Sequence, residues 1–147
     1  MSIAINYKNN QIKKNSSNLV LFVDEKFNIL SLKKHILGKE FSFISDLLKV
    51  KDLSKSIIHF DINSKKKIIL IAFKKNLSRN GAENLGAKFY DKFKDLKQNI
   101  FYVNSDTSSS KSANLIGHFL HGAKLKSYKF EKYKTKKNIK NISIIVT

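Results

Sequence analysis

The sequence predicts an α/β domain with three α/β/α layers around a mixed, mostly parallel sheet of about six strands. Five short runs are rich in β-branched and aromatic residues and almost continuously apolar, as strands covered on both faces are; they are Leu19–Val23, Ile57–Ile62, Ile68–Phe73, Ile100–Val103 and Ile142–Val146. Two longer segments repeat apolar residues at steps of three and four, which indicates helices with one buried face. Helices that alternate with strands in this way are typical of a sheet with helices on both sides.

The first half of the chain supplies four of the predicted strands and two short helices. Ile3–Tyr7 alternates weakly between apolar and polar residues, which predicts an edge strand. Short helical pieces are predicted around Ser31–Leu37 and Phe41–Val50. The polar loop between Ile57–Ile62 and Ile68–Phe73 is short enough for a hairpin, so at least one strand pair should be antiparallel.

The first long helix is predicted to begin at Ser78, a residue type preferred at the N-cap. Its apolar stripe consists of Ala82, Leu85, Phe89, Phe93 and Leu96. Gly81 and Gly86 also lie in this helix, and their spacing fits no phosphate-binding fingerprint. We expect these small residues to let the helix pack close to the sheet.

The second long helix is predicted to begin near the serine cluster Ser108–Ser112 and to reach Tyr128. Its apolar stripe consists of Leu115, Ile116, Phe119, Leu120 and Ala123. The preceding loop, Ser105–Ser110, is compatible with an anion at a helix N-terminus or with simple capping. Capping is favoured, because Asp106 would repel a phosphate.

Composition indicates one globular domain covering residues 1–147, with 41% apolar residues, 11 Phe and 5 Tyr. The absence of cysteine excludes disulfides and thiolate metal sites. The N-terminus lacks the apolar core of a signal peptide, and no apolar run has the length of a membrane span. We therefore expect a cytoplasmic protein.

The net charge of +18 raises the question of nucleic-acid binding. Arg79 is the single arginine among 29 basic residues, although nucleic-acid recognition favours the arginine fork. Abundant Lys, Asn and Ile are also the residues of AT-rich codons. The densest basic run, Lys124–Lys140, contains Tyr128, Phe130 and Tyr133. We interpret it as aromatic packing plus a solvated basic face, and expect any nucleic-acid binding to be weak.

The histidines and acidic residues form no convincing catalytic or metal-binding pattern. His118 and His121 share a helix face, but a zinc site needs further ligands, and the sequence places no Glu or Cys nearby. His35 and His59 are isolated and interpreted as structural. The eleven acidic residues are scattered. The sequence therefore predicts no catalytic, cofactor-binding or metal-binding residue in this chain.

The end of the second helix carries a pattern found in a known family. The segment matches Gly-x-x-Leu-x-x-Tyr-x-Phe-x-x-Tyr-Lys, and the matching residues are Gly122, Leu125, Tyr128, Phe130, Tyr133 and Lys134. It resembles the end of the non-catalytic N-terminal domain of the leucyl aminopeptidase (cytosol aminopeptidase) family. Ile68–Lys75 also resembles that family's ILLIGxGK strand and turn, except that Ala72-Phe73-Lys74-Lys75 stands where the family usually has small glycines.

The resemblance implies a macrodomain-like α/β/α fold and a role beside a metal-dependent aminopeptidase. In that family, two manganese or zinc ions lie in the peptidase domain, and the N-terminal domain contributes to assembly of a hexamer. The signature Asn-Thr-Asp-Ala-Glu-Gly-Arg is absent from this chain. We therefore expect residues 1–147 to lack the peptidase domain and to act with one in cis or in trans, within a homo-oligomer. The alternative is a stand-alone macrodomain-like module that binds nucleotide or nucleic acid through its basic surface.

Overall fold

The computed structural model describes residues 3–7, 18–33, 35–52, 54–63, 66–74, 76–94, 100–104, 113–133 and 142–146. In this part of the chain, six strands form one sheet: β1 (Ile3–Tyr7), β2 (Asn18–Val23), β3 (Ile57–Asn63), β4 (Lys66–Ala72), β5 (Ile100–Val103) and β6 (Ile142–Val146). Their order is β1-β6-β5-β2-β4-β3. All neighbours are parallel except β3 and β4. The predicted mixed, mostly parallel sheet and its antiparallel hairpin are confirmed.

Three α-helices are described: α1 (Gly38–Leu48), α2 (Arg79–Phe93) and α3 (Ala113–Tyr133). The first of the two predicted short helices is only a 3₁₀ turn, Leu30–Leu32. The predicted N-cap of α2 is confirmed, because the Gly81 backbone N–H donates to Ser78 Oγ at 3.0 Å. No helix in the described ranges is long and apolar enough to cross a membrane.

Helices α2 and α3 cover one face of the sheet through an aromatic core. The Phe89 ring lies 5.2 Å from that of Phe101 on β5 and 5.4 Å from that of Phe119 on α3, measured between centroids. The buried members of the two predicted stripes are Ala82, Leu85, Phe89, Phe93, Ile116, Phe119, Leu120 and Ala123. Leu115 is partly buried, whereas Leu96 and the side chain of Tyr128 lie outside the described residues.

Helix α1 and the segment before it cover the opposite face. Leu32 and Ile44 pack here against strand residues such as Leu21 and Leu70. A buried ion pair also joins this layer to the sheet, since Lys66 Nζ of β4 lies 2.8 Å from Glu40 Oε1 of α1. Burying two charges is tolerable because they neutralise and hydrogen-bond one another. Together the two covered faces confirm the three-layer arrangement.

Gly86 of α2 and Gly122 of α3 bring the helix backbones together. A Cβ atom at Gly86 would lie 1.8 Å from the Phe119 carbonyl oxygen, and one at Gly122 would lie 2.0 Å from the Glu83 carbonyl oxygen. The expectation that Gly86 lets α2 approach the sheet is therefore wrong, because its close neighbour is α3. Gly81 instead contacts Leu77 and Ser78 at the start of its own helix.

Candidate functional site

The carboxyl ends of β2 and β5 lie at the same edge of the sheet, where its connections diverge. The two strands are parallel neighbours, with Val20 paired with Val103. The chain leaves β2 for the layer that contains Ile44 of α1, and leaves β5 for the layer that contains Phe119 of α3. Open parallel sheets bind their ligands at such a switch point. This end of the sheet is the candidate functional site.

The loop after β2 is held in a tight and strained conformation. Asp24 Oδ1 accepts hydrogen bonds from the backbone N–H groups of Lys26 at 3.1 Å and Asn28 at 3.0 Å. Between them, Phe27 has a φ angle of 55°, and its side chain is buried. A bulky residue in this left-handed region costs about 1–3 kcal/mol, and such strain is concentrated at functional sites. The side chain packing of Phe27 stabilises this conformation.

The end of β5 provides a polar pair that links two layers. Asn104 follows Val103, and its backbone N–H donates to the Val20 carbonyl at 3.1 Å. Its side-chain Nδ2 lies 2.9 Å from Nδ1 of His35, which precedes α1. Asn104 is buried and His35 is half-buried. The pair joins the end of β5 to the segment before α1 at this end of the sheet.

The end of β4 is filled by an aromatic side chain. Phe73 donates its backbone N–H to the Val23 carbonyl at 3.0 Å, and its buried ring lies 4.9 Å from that of Phe22. In the resemblance to the ILLIGxGK pattern, Phe73 aligns with the variable position, and Ala72 and Lys74 stand at the glycine positions. Among the described residues at this edge, the side chains offer hydrogen bonds but no nucleophile paired with a base.

The histidines of α3 have an acidic neighbour that the sequence did not reveal. His118 Nδ1 lies 3.7 Å from Glu83 Oε2 of α2, and both side chains are about one-third exposed. His121 is exposed. Across the described ranges, no group of three His, Cys, Asp or Glu residues is placed to hold a metal ion. His118 and Glu83 therefore form a contact between helices.

His59 lies on β3 against the end of α2. Its ring is perpendicular to that of Phe93, with 5.6 Å between the centroids. Burial, and then the nearby Lys67 and Lys92, hold the pKa of His59 below its ordinary value. The interpretation of His59 as a structural histidine is compatible with this packing.

Only the start of the predicted basic run is described. Lys126 Nζ lies 3.9 Å from Asp91 Oδ2 of α2, and Leu125 remains 41% exposed. The side chains of Tyr128, Phe130 and Tyr133, residues 134–140, and the loop Ser105–Ser110 all lie outside the described residues. Their predicted roles in packing and capping stay predictions.

Comparison with known proteins shows the fold relationship. No protein-family profile and no curated protein sequence matches the chain. The macrodomain of Thermus aquaticus DarG matches 99% of this chain and 98% of its own length, with 8% sequence identity and a TM-score of 0.61. A mutant of tomato leucine aminopeptidase matches 99% of this chain and 32% of its own length, with 17% identity and a TM-score of 0.64.

The chain therefore has a macrodomain-like α/β fold that is also similar to the N-terminal region of a leucine aminopeptidase. It spans about a third of the length of the tomato enzyme. The fold expected from the resemblance is confirmed.

Proposed function

We propose that this chain is the non-catalytic N-terminal domain of a leucyl-aminopeptidase-like metallopeptidase and contributes to assembly of the enzyme. The supporting observation is the position of Gly122, the glycine of the family pattern. Any side chain there would collide with the Glu83 backbone, since even a Cβ atom would lie 2.0 Å from its carbonyl oxygen. The glycine of the pattern thus has a physical reason in this fold, and the pattern and the structural similarity support the same family.

In this role, the peptidase domain provides the two divalent metal ions, manganese or zinc, and the catalytic residues. A two-metal site needs several converging carboxylates to hold ions about 3.5–4 Å apart. Three of the described acidic residues have structural partners: Glu40 binds Lys66, Asp61 binds Lys67, and Asp24 closes the loop after β2. The chain alone is therefore expected to have no aminopeptidase activity, and the enzyme would release N-terminal residues from peptides once the peptidase domain is present.

Affinity purification of the tagged chain from its source cells tests the assembly role. We expect a partner carrying the Asn-Thr-Asp-Ala-Glu-Gly-Arg signature at equal stoichiometry, with manganese-stimulated hydrolysis of leucyl-anilide that a chelator abolishes. A tagged unrelated basic domain is the control for charge-driven capture. Purification as a monomer with no such partner would contradict the assembly role. Chelator-sensitive hydrolysis by the recombinant chain alone would contradict its non-catalytic character.

A second candidate function is nucleotide binding at the carboxyl ends of β2 and β5. It is supported by the Asn104–His35 pair after β5, by the strained Phe27 in the loop after β2, and by similarity to nearly the whole of a macrodomain. Titration with ADP, followed by amide chemical shifts, tests it. We expect shifts at residues 24–28 and Asn104 that Asn104→Ala weakens, whereas Asn63→Ala at the far end of β3 leaves them unchanged. No shifts at millimolar ADP would exclude this function.

A further inference from the structure

The surface around the edge strand β3 gathers lysines from three parts of the chain. Lys51 and Lys55 lie between α1 and β3, Lys67 lies on β4, and Lys92 lies in the last turn of α2. Lys51, Lys55 and Lys92 are exposed, whereas the Lys67 side chain is only 15% exposed. These four residues are called the β3-edge lysine cluster.

Contacts with β3 fix the position of two members of the cluster. Lys51 Nζ lies 5.7 Å from the centroid of the Phe60 ring, a cation–π contact. Lys67 Nζ binds Asp61 Oδ1. Because Phe60 and Asp61 are successive residues of β3, the two lysines are anchored on opposite faces of the same strand.

Acidic side chains compensate the charge of the cluster only in part. Burial, followed by the other three lysines of the cluster, holds the pKa of Lys92 below its ordinary value. Asp61 is engaged with Lys67, and Asp52 accepts a hydrogen bond from the Ser54 backbone N–H at 3.0 Å. The described ion pairs of this region, Lys67–Asp61 among them, do not include Lys92. An anionic partner would therefore relieve repulsion within the cluster.

Exposed apolar side chains lie directly beside the lysines. Val50, the residue before Lys51, is 81% exposed, and Phe43 on α1 is 44% exposed. The Val50 backbone N–H donates to the Leu47 carbonyl at 3.1 Å, so the helical turn extends to Val50. Phe43, Leu47 and Val50 thus follow the spacing of one helix face. An apolar strip bordered by charged residues is the composition of a protein interface, with an apolar centre and a polar rim.

This combination fits an acidic protein segment better than a nucleic acid. Single-stranded nucleic acids bind through several exposed aromatic side chains that stack on successive bases. Of the described aromatic residues named here, Phe60 and Phe93 are buried, which leaves Phe43, at 44% exposure, for such stacking. Bidentate phosphate or base recognition relies on arginine, and Arg79 is the single arginine of the chain. An exposed Val50 would gain nothing from a phosphate backbone, whereas it would be desolvated by an apolar side chain of a protein.

We propose that the surface formed by the end of α1 and the β3-edge lysine cluster is a docking site for an acidic protein segment. Glu or Asp side chains of the partner meet Lys51, Lys55 and Lys92, and an apolar side chain packs on Val50 and Phe43. A second copy of this chain is a poor occupant of this surface, because a chain of net charge +18 has few acidic side chains to offer the lysines. This inference is independent of both functions proposed above.

Fluorescence anisotropy with a labelled peptide, in which Glu residues flank two Leu residues, tests the docking site at low salt. The cluster variant is Lys51→Gln with Lys92→Gln, and the matched control is Lys26→Gln with Lys33→Gln. Both double variants lower the net charge equally, and Lys26 and Lys33 are exposed, outside the cluster and off the helix face of Phe43, Leu47 and Val50. We expect the cluster variant to weaken binding about three- to tenfold and the control variant less than twofold.

Two further probes separate the apolar contribution of Val50 from the contribution of the peptide's charge. Val50→Ser should weaken binding of the Glu–Leu peptide by about threefold. It should not change binding of a peptide that has Ser in place of Leu. A peptide with Gln in place of Glu should not bind. Equal weakening by the two double variants would show attraction to net charge alone and overturn the inference, as would failure of the peptide to bind. Tighter, cluster-dependent binding of a single-stranded oligonucleotide would assign the surface to nucleic acid instead. Thermal melts of every variant exclude loss of folding.

Discussion

Gly86 of α2 lies against the carbonyl oxygen of Phe119 of α3, so closely that a Cβ atom would be 1.8 Å from that oxygen. Gly122 makes the reciprocal contact with Glu83. The two helices therefore meet backbone against backbone at both places, and side-chain volume at either glycine would separate them. The layer above the aromatic core depends on residues that have no side chain.

We expect Gly86→Ala to lower the free energy of unfolding by about 1–3 kcal/mol, because the added methyl group forces the helices apart. Ordinarily, Gly→Ala inside a helix stabilises it by about 0.5–1 kcal/mol. Gly117, an exposed residue of α3, is the control, because a Cβ atom added there would meet nothing within 4 Å. Gly117→Ala should raise stability in urea melts. If both variants changed the free energy of unfolding in the same direction, the close contact between the helices would be wrong.

Phe119→Ala should destabilise the fold by about 3–5 kcal/mol, because it empties the centre of the aromatic core. Phe119 is fully buried, and its ring packs edge-on against Phe22 at 5.8 Å between centroids. Leu125→Ala, at a 41% exposed position of the same helix, should cost less than about 1 kcal/mol. If both variants lost the same stability in denaturant melts, the helix face that carries Phe119 would not be the one buried in the core.

Lys66→Met should cost about 3–5 kcal/mol, because it leaves the Glu40 carboxylate buried without its partner. Replacing both residues, Glu40→Leu with Lys66→Met, should recover most of this loss. The exposed pair Lys49–Asp46, with side chains 75% and 81% exposed, is the control. Asp46→Asn should change stability by less than about 1 kcal/mol. A double variant as unstable as the single one would mean that the buried pair is not the cause.

Stability should fall as the pH is lowered below 6.5, the ordinary pKa of histidine, partly because of His59. Its folded-state pKa is depressed by burial first and then by Lys67, Lys92 and Lys51, while Asp61 opposes them. The unfolded chain therefore binds the proton more readily, and protonation favours unfolding in this window. His59→Gln should flatten the pH dependence of the urea midpoints relative to wild type. Parallel curves for wild type and His59→Gln would contradict this.

Local sequence patterns predicted the elements of the fold because the responsible interactions are local. Apolar runs predicted strands β2, β4 and β5. Ser78 was predicted as the N-cap of α2, and its side chain accepts the capping hydrogen bond. Strand β4 begins earlier than its apolar run, at Lys66, because Glu40 neutralises that lysine in the interior. No pattern in the sequence around Lys66 indicates that Glu40 is its partner.

The candidate sites depend on contacts between distant residues, and single-sequence patterns do not contain them. Asn104 and His35 are 69 positions apart, and only the sheet order brings them together. The left-handed Phe27 has no sequence signal, since glycine or asparagine is the expected residue at such a φ angle. The β3-edge lysines come from a loop, a strand and a helix, so no basic run marks them. The densest basic run of the sequence, Lys124–Lys140, contains none of them.

The pairing of β1 with β6 has a consequence for synthesis on the ribosome. Ile3 is paired with Ile142 and Tyr7 with Val146, so the first strand of the sheet finds its partner in the last one. At translation rates of about 5–20 residues per second, β1 waits roughly 7–30 s after emerging before β6 is made. During that interval it is a nascent strand without its neighbour, and factors that act on emerging chains have that long to engage it.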